Sequence, residues 1–271
     1  MDLPIANARM YAVAPAAEAS WQALLAHIAE EADVSLRYVP YPAPQPLEAL
    51  WARPDLGAVF MCGYPIALRL ADVVPLAAPI PAAAWAGRRA VYRSDLIVRA
   101  DAPYRRLEDT FEGRLGWTVE HSHSGFNALR HHLLRHRRSG RPQLYRQVVG
   151  HLVTARRILD AVVAGEIDVG PLDAYWHMLL RHHRPELVAA IRVLESTDLA
   201  PAPAFVAAAS LPAAAAARLR ASFAAAQQRP WFAALAAPLC LAGFAAVDHD
   251  SYAPTLAWDR EAKAAGYAEP A

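Results

Sequence analysis

The apolar residues of this chain fall into two patterns that alternate along its length. Short continuous apolar runs, such as residues 56–62 and 115–119, are separated by segments in which apolar residues recur every three or four positions. The first pattern is typical of strands covered on both faces, and the second of amphipathic helices. Because the two alternate, the sequence predicts an α/β fold with ligand-binding loops at the strand ends.

Individual elements follow from the same patterns. The predicted strands and extended segments are residues 9–13, 34–39, 56–62, 73–80, 89–99, 115–119, 144–149, 167–170, 191–194 and 204–207. The predicted helices are residues 21–28, 47–51, 124–138 and 152–163, a helix that opens at Asp173, and helical structure ending with residues 252–266. The segment 89–99 is long enough to leave one lobe of the protein and enter another.

Composition narrows the function classes. The chain has 271 residues, and 55% of them are hydrophobic, which excludes a disordered protein. Its net charge is +1, which gives no basis for binding nucleic acid or a membrane surface. Residues 230–247 carry no charge, but they are rich in alanine and contain prolines, so they are interpreted as a buried helix and connector, not as a membrane span. No P-loop, dinucleotide-binding motif or nucleophile elbow is present, and no cofactor is predicted.

The stretch Glu120-His121-Ser122-His123-Ser124-Gly125 lies between an apolar strand and a segment with helical spacing. Ser122 and Ser124 are favoured N-cap residues, and Gly125 lets another group approach the backbone closely. Helix-start amides together with hydroxyl groups form a site for a phosphate-like or carboxylate anion. The alternative, which the spacing leaves open, is an ordinary N-cap beside a tight turn.

Several motifs in order resemble one protein family. Residues 92–98 (YRSDLIV), 107–109 (LED), 113–116 (GRLG) and 122–125 (SHSG) are similar to the phosphonate-binding, PhnD-like family of substrate-binding proteins of ABC importers. His123 stands where that family usually has threonine. The resemblance implies a two-lobe type II periplasmic binding protein with two crossing strands, in which residues 1–93 and 204–271 form lobe I and residues 94–203 form lobe II.

The same resemblance implies which residues contact a small anionic ligand between the lobes. Besides the turn residues Ser122, His123, Ser124 and Gly125, they are Tyr11, Tyr64, Tyr92, His151 and Asp173. Each also has a structural alternative: the tyrosines could pack within their lobes, His151 could be a solvent-facing residue at a helix start, and Asp173 could be a plain N-cap. In the family, an acidic residue near Asp173 receives a ligand amine, so Asp173 is expected to set the ligand class.

The histidine-rich segment after this turn could suggest a metal site, because His132 and His136 have the i, i+4 spacing of zinc-binding helices. No HExxH order and no nearby cysteine accompanies them, and arginines at positions 130, 135, 137 and 138 would repel a dication. The segment is therefore interpreted as a solvated basic helix end, and no metal is predicted.

The resulting prediction is a monomeric receptor that captures a phosphonate or related phosphorus oxyanion and presents it to an ABC permease. Two alternatives remain: an enzyme of the same fold, of the dehydratase or pyrimidine-precursor synthase type, and a cytoplasmic ligand-sensing module. The N-terminal residues have neither the basic nor the apolar region of an export signal. The protein is therefore expected in the periplasm if its native gene encodes such a signal, and in the cytoplasm otherwise.

Overall fold

A computed structural model describes residues 3–138 and 143–271. The strands are β1 Ile5–Asn7, β2 Arg37–Tyr38, β3 Leu56–Met61, β4 Val73–Pro81, β5 Val91–Tyr92, β6 Ser94–Arg99, β7 Arg114–Gly116, β8 Gln147–Val149, β9 Gly170–Asp173, β10 Ile191–Ser196, β11 Ala200–Pro201, β12 Ala204–Ala208 and β13 Leu241–Ala246. The α-helices are α1 Pro15–Glu31, α2 Leu47–Trp51, α3 Gly63–Ala67, α4 Ala128–Leu133, α5 Ala155–Val163, α6 Ala174–His183, α7 Pro185–Val188, α8 Ala213–Ala225, α9 Phe232–Ala236 and α10 Ala253–Ala264. These elements confirm the predicted α/β class.

The chain divides into two compact units. Unit 1 comprises Met1–Val91 and Pro201–Ala253, and unit 2 comprises Tyr92–Ala200 and Pro254–Ala271. The division points fall within β5 and β11, which pair with each other as a two-stranded sheet. Residues 1, 2 and 139–142 of the predicted lobes lie outside the described residues.

Unit 1 is built on a six-stranded sheet in the order β13-β4-β12-β3-β1-β2. β1 is parallel to β2 and β3, whereas β12 is antiparallel to β3 and β4. Phe60 of β3 stacks on Phe205 of β12 with 3.7 Å between ring centroids, and Trp21 of α1 packs edge-on against both rings. These aromatic contacts join the first helix to the centre of the sheet.

Unit 2 contains the antiparallel sheet β10-β6-β9 and the parallel pair β7-β8. Leu115 of β7 forms a parallel bridge with Val169, just before β9. Trp117, Phe126 and Leu129 belong to the same buried core as Leu115. The apolar run at 115–119 and the helical spacing after it therefore bury one shared core, and they hold the serine-containing turn between them.

Two predictions of local structure in unit 1 are wrong. Residues 9–13 are not a strand: the side-chain oxygen of Asn7 accepts the N–H of Arg9 at 2.9 Å, and the chain enters a 3-10 turn over Arg9–Tyr11. Residues 230–247 contain the short helix α9 followed by β13, which pairs with β4, so their second half is a strand and not a connector. Within the described part of the chain, no helix has the length and apolar character that crossing a membrane requires.

The C-terminal segment differs from the predicted lobe I, which included residues up to 271. Residues 254–271 pack in unit 2, where Arg130 Nη2 lies 2.5 Å from Asp259 Oδ1 and the side-chain amide of Asn127 donates to the carbonyl of Thr255 at 2.8 Å. Lys263 also contacts Asp259, at 2.8 Å. A buried arginine requires a nearby anion, and α10 supplies it.

We expect Arg130→Met to lower the free energy of unfolding by about 3–5 kcal/mol, because it leaves Asp259 in a buried position without its guanidinium partner. Urea denaturation monitored by tryptophan fluorescence measures the loss. The matched control is Arg156→Met, which removes an exposed i, i+4 pair with Asp160 and should cost about 0–1 kcal/mol. Equal losses in the two variants would contradict a structural role for the buried pair.

Candidate functional site

The turn at 122–125 has the capping geometry that its sequence predicts. Ser122 is the N-cap of a π-helical segment, His123–Asn127, and its Oγ accepts the N–H of Gly125 at 3.0 Å. The carbonyl of Ser122 accepts the N–H of Asn127 at 3.0 Å, and α4 follows without a break. The helix therefore begins with a wide first turn, and one of its N-terminal amides is already occupied by the cap.

Gly125 is required because another part of the chain approaches it closely. A Cβ atom at this position would lie 1.9 Å from Oγ1 of Thr118, and the N–H of Thr118 donates to the carbonyl of Gly125 at 3.2 Å. The prediction of a close approach is confirmed, and the approaching group belongs to the chain itself. Gly125 thus fixes the distance between the turn and the segment that follows β7.

His123 is fully buried, and its hydrogen bonds define its tautomer. Arg130 Nη2 donates to Oδ1 of Asn127 at 2.9 Å, which orients the amide so that Nδ2 faces Nδ1 of His123 at 3.2 Å. An amide NH₂ group only donates, so Nδ1 must accept and the neutral ring carries its proton on Nε2. Burial, with a smaller contribution from His131, lowers the pKa of His123 to about 3. The ring is therefore neutral at physiological pH.

The predicted site residues of unit 2 other than His151 meet near the first residues of β6. The hydroxyl of Ser94 donates to the carbonyl of Ser124 at 2.8 Å, and Ser94 is paired in register with Asp173 of β9. The ring of Tyr92, just before β6, lies 6.0 Å from that of His123. The structure thus brings together Tyr92, Ser122, His123, Ser124, Gly125 and Asp173.

Asp173 is the N-cap of α6. Its Oδ1 accepts the N–H groups of Tyr175 at 2.8 Å and Trp176 at 3.0 Å, and the residue is 9% exposed. This is the structural alternative that the sequence left open. A role of Asp173 in ligand recognition stays a prediction. In that role the same carboxylate would contact the ligand and cap α6.

His151 was predicted to start a helix, and this is wrong. The N-cap of α5 is Thr154, whose Oγ1 accepts the N–H of Arg157 at 3.1 Å. His151 lies before it in a loop, with a φ angle of 56°, and its ring lies 4.7 Å from Trp117 and 3.9 Å from a carboxylate oxygen of Glu120. His151 is therefore not at the N-terminus of a helix.

Tyr11 and Tyr64 belong to unit 1. Tyr11 is 1% exposed and its ring packs edge to face on Phe60 at 5.0 Å between centroids, so most of its surface is buried in the core of unit 1. Tyr64 is the second residue of α3 and is 5% exposed. Their predicted contacts with ligand stay predictions.

Two residues that contact His123, Asn127 and Trp258, were not predicted from the sequence. The i, i+4 spacing of His123 and Asn127 and the i, i+3 spacing of Asn127 and Arg130 would have placed these side chains on one helix face. Trp258 lies 5.1 Å from the ring of His123 and stacks on His131 at 4.7 Å. Its contribution was missed because α10 was assigned to the other lobe.

The prediction that the histidine-rich segment is a solvated basic helix end is also wrong in part. Arg130 and His132 are each 2% exposed, and Arg130 is bound by Asp259, Asn127 and the carbonyl of Ala268. Burial lowers the pKa of His132 to about 3, with Arg135 as the next contribution. The helix therefore points polar side chains into unit 2, where partners distant in sequence receive them.

Comparison with known proteins identifies the family of this chain. The profile of the family described as the periplasmic substrate-binding protein of phosphonate ABC transporters matches residues 12–252, which include parts of both units. The chain belongs to this family. The predicted resemblance is confirmed, and a transporter receptor is confirmed over an enzyme of the same fold. No curated protein matches the sequence.

Solved structures give the fold. A binding protein component of an ABC phosphonate transporter from Pseudomonas aeruginosa has a TM-score of 0.78 at 16% identity, covering 98% of this chain and 88% of that one. PhnD1 from Prochlorococcus marinus, in complex with methylphosphonate, has a TM-score of 0.77 at 13% identity, with 96% and 98% covered. A Xanthomonas citri protein bound to ATP has a TM-score of 0.65 at 15% identity, with 98% of both covered. These likenesses confirm the type II periplasmic binding protein fold.

The buried His123 generates a prediction about acid stability. Its folded pKa of about 3 lies below its usual value of 6.5, so between these values the unfolded chain binds more protons than the folded one. The contribution of His123 to stability is therefore greatest above pH ~6.5 and falls as the pH decreases toward ~3. His123→Thr should reduce the steepness of this fall by about 1.4 kcal/mol per pH unit near pH 5.

Urea unfolding of both proteins at a series of pH values measures the difference. The exposed His182→Thr is the control, and it should follow the wild-type slope. If His123→Thr also follows the wild-type slope, His123 is not buried in its neutral form.

Proposed function

We propose that the protein captures a phosphonate or a related phosphorus oxyanion at the Ser122–Gly125 turn and delivers it to an ABC permease. The observation that supports this proposal is a capped helix start, with two serines and a buried neutral histidine, in a member of the phosphonate receptor family. We propose that it does so as a monomer in the periplasm.

Hydrogen-bond donors at the turn suit such a ligand. The side-chain hydroxyl of Ser124 makes no hydrogen bond within the described residues, so it is available to an incoming oxygen. His123, whose neutral ring carries its proton on Nε2, stands where the family usually has a threonine hydroxyl. The N-terminal end of the helix adds a favourable electrostatic field for an anion.

The ligand class is supported by what similar proteins hold. PhnD1 binds methylphosphonate, and the Xanthomonas citri protein binds ATP, so two proteins of this fold hold compounds with phosphorus-bound oxygens. The common chemistry is a tetrahedral oxyanion. The remainder of the ligand would be selected by Tyr92, Trp258 and Asp173, which surround His123 or the adjacent start of β6.

Serine variants separate the binding role from the capping role. Ser124→Ala should weaken binding of methylphosphonate by about 1–3 kcal/mol, because an anionic acceptor loses a donor, while stability should stay within about 0.5 kcal/mol. Ser122→Ala should also cost about 1 kcal/mol of stability, because Gly125 loses its cap. Isothermal titration calorimetry and urea unfolding measure the two quantities.

Ser20→Ala is the matched control, since Ser20 lies on α1 of unit 1 and bonds only the carbonyl of Ala16. Normal binding in both turn variants would place the anion elsewhere. Recovery of chemically altered ligand after incubation would oppose a receptor.

Asp173→Asn tests whether this carboxylate recognises a ligand amine. We expect the variant to bind 2-aminoethylphosphonate more weakly while its affinity for methylphosphonate changes little, because only the first ligand carries an ammonium group. Asparagine is also a good N-cap, so α6 should persist. An equal loss for both ligands, measured by calorimetry, would instead assign Asp173 to the cap alone.

A further inference from the structure

Two histidines and a glutamate of unit 2 converge at the end of α4. His132 lies in the last turn of α4, His136 lies in the 3-10 turn Leu134–His136, and Glu195 comes from β10. One potential ligand atom of each residue lies within 4.8 Å of the other two, and His132 Nε2 is 3.1 Å from Glu195 Oε1. Ligand atoms around a tetrahedral zinc ion are about 3.4 Å apart, so the three side chains need only small rotations to share an ion.

The two imidazoles present buried nitrogens that the described protein leaves without a hydrogen bond. Nε2 of His132 and Nε2 of His136 are both inaccessible to solvent, and neither makes a hydrogen bond of good geometry with another described group. A buried polar atom in this state destabilises the fold. His132 as a whole is 2% exposed, so solvent does not satisfy it. A bound cation would remove both deficits.

The support of the ligands also suits a metal. Glu108 Oε1 lies 3.6 Å from the other ring nitrogen, Nδ1, of His136. A carboxylate behind an imidazole is the arrangement that orients metal-binding histidines. The side chain of Glu195 is 35% exposed and that of His136 is 14% exposed, which leaves an edge open to solvent.

One positive charge competes with a cation here. The Arg135 guanidinium contacts Nδ1 of His132, and its Nη1 lies 3.9 Å from Glu195 Oε1. Its side chain is 48% exposed, so it can turn into solvent and expose the carboxylate. At 3.9 Å, Arg135 partly neutralises Glu195.

We propose that His132, His136 and Glu195 bind a divalent transition-metal ion such as zinc, with a fourth position open to water. Two imidazoles and one carboxylate are a ligand set that zinc favours. Bound metal would link the C-terminal end of the helix that begins at the serine turn to β10. The sequence argued against this site because no HExxH order and no nearby cysteine accompanies the histidines and because arginines surround them. Glu195 is far away along the chain, so the sequence pattern did not include it.

Untagged protein, stripped with a chelator, is titrated with ZnCl₂ by calorimetry and with Co²⁺ by visible absorption. We expect one ion per chain and a Co²⁺ spectrum of four-coordinate intensity. His136→Gln and Glu195→Gln should each weaken zinc binding at least about tenfold, as the loss of a metal contact does. Both side chains are partly exposed, so these variants should fold, and circular dichroism checks this. Arg135→Gln should tighten binding, because it removes the competing charge.

The matched control is the His182→Gln, His183→Gln double variant, which removes a neighbouring pair of histidines at the end of α6. It should bind zinc as the wild type does. The proposal is overturned if zinc does not bind, if binding is unchanged in both His136→Gln and Glu195→Gln, or if it is lost in the control. These outcomes do not depend on phosphonate binding, which is measured separately.

Discussion

The buried guanidinium of Arg130 is the group on which the arrangement of unit 2 most depends. It donates to Asp259 of α10, to the carbonyl of Ala268 and to the side chain of Asn127. A buried cation is tolerated only when its charge and donors are matched, so α10 must pack against α4. Removing either helix would leave an unpaired charge inside the unit.

The same contact determines the chemistry of the turn. Because Arg130 occupies Oδ1 of Asn127, the amide can offer only its NH₂ group to His123. The proton of the neutral imidazole is thereby held on Nε2. A charge pair at the base of the helix thus fixes which ring nitrogen of His123 carries the proton, and no part of this chain of contacts requires the histidine to be charged.

Sequence patterns correctly predicted the structural features that depend on residues close together along the chain. The run at 56–62 is β3, the Ser122 cap forms, and Gly125 allows a close approach. Predictions failed where a single side chain redirected the backbone, as Asn7 does before the turn over Arg9–Tyr11 and Thr154 does after His151. Such bonds involve one polar residue, and periodicity does not detect them.

The second limit on prediction from the sequence was pairing between side chains that are distant along the chain. A helix end with arginines and histidines is normally solvated, and only contacts with Asp259 and Glu195, which are distant in sequence, reveal that Arg130 and His132 are buried. His123 and His132 are both kept neutral by burial, yet their surroundings differ. Each ring has a donor at Nδ1, the Asn127 amide for His123 and the Arg135 guanidinium for His132, but His132 also has the Glu195 carboxylate beside Nε2. Whether a buried neutral histidine suits an anion or a cation is therefore decided by the group at its ring nitrogens, and those groups are brought there by the tertiary fold.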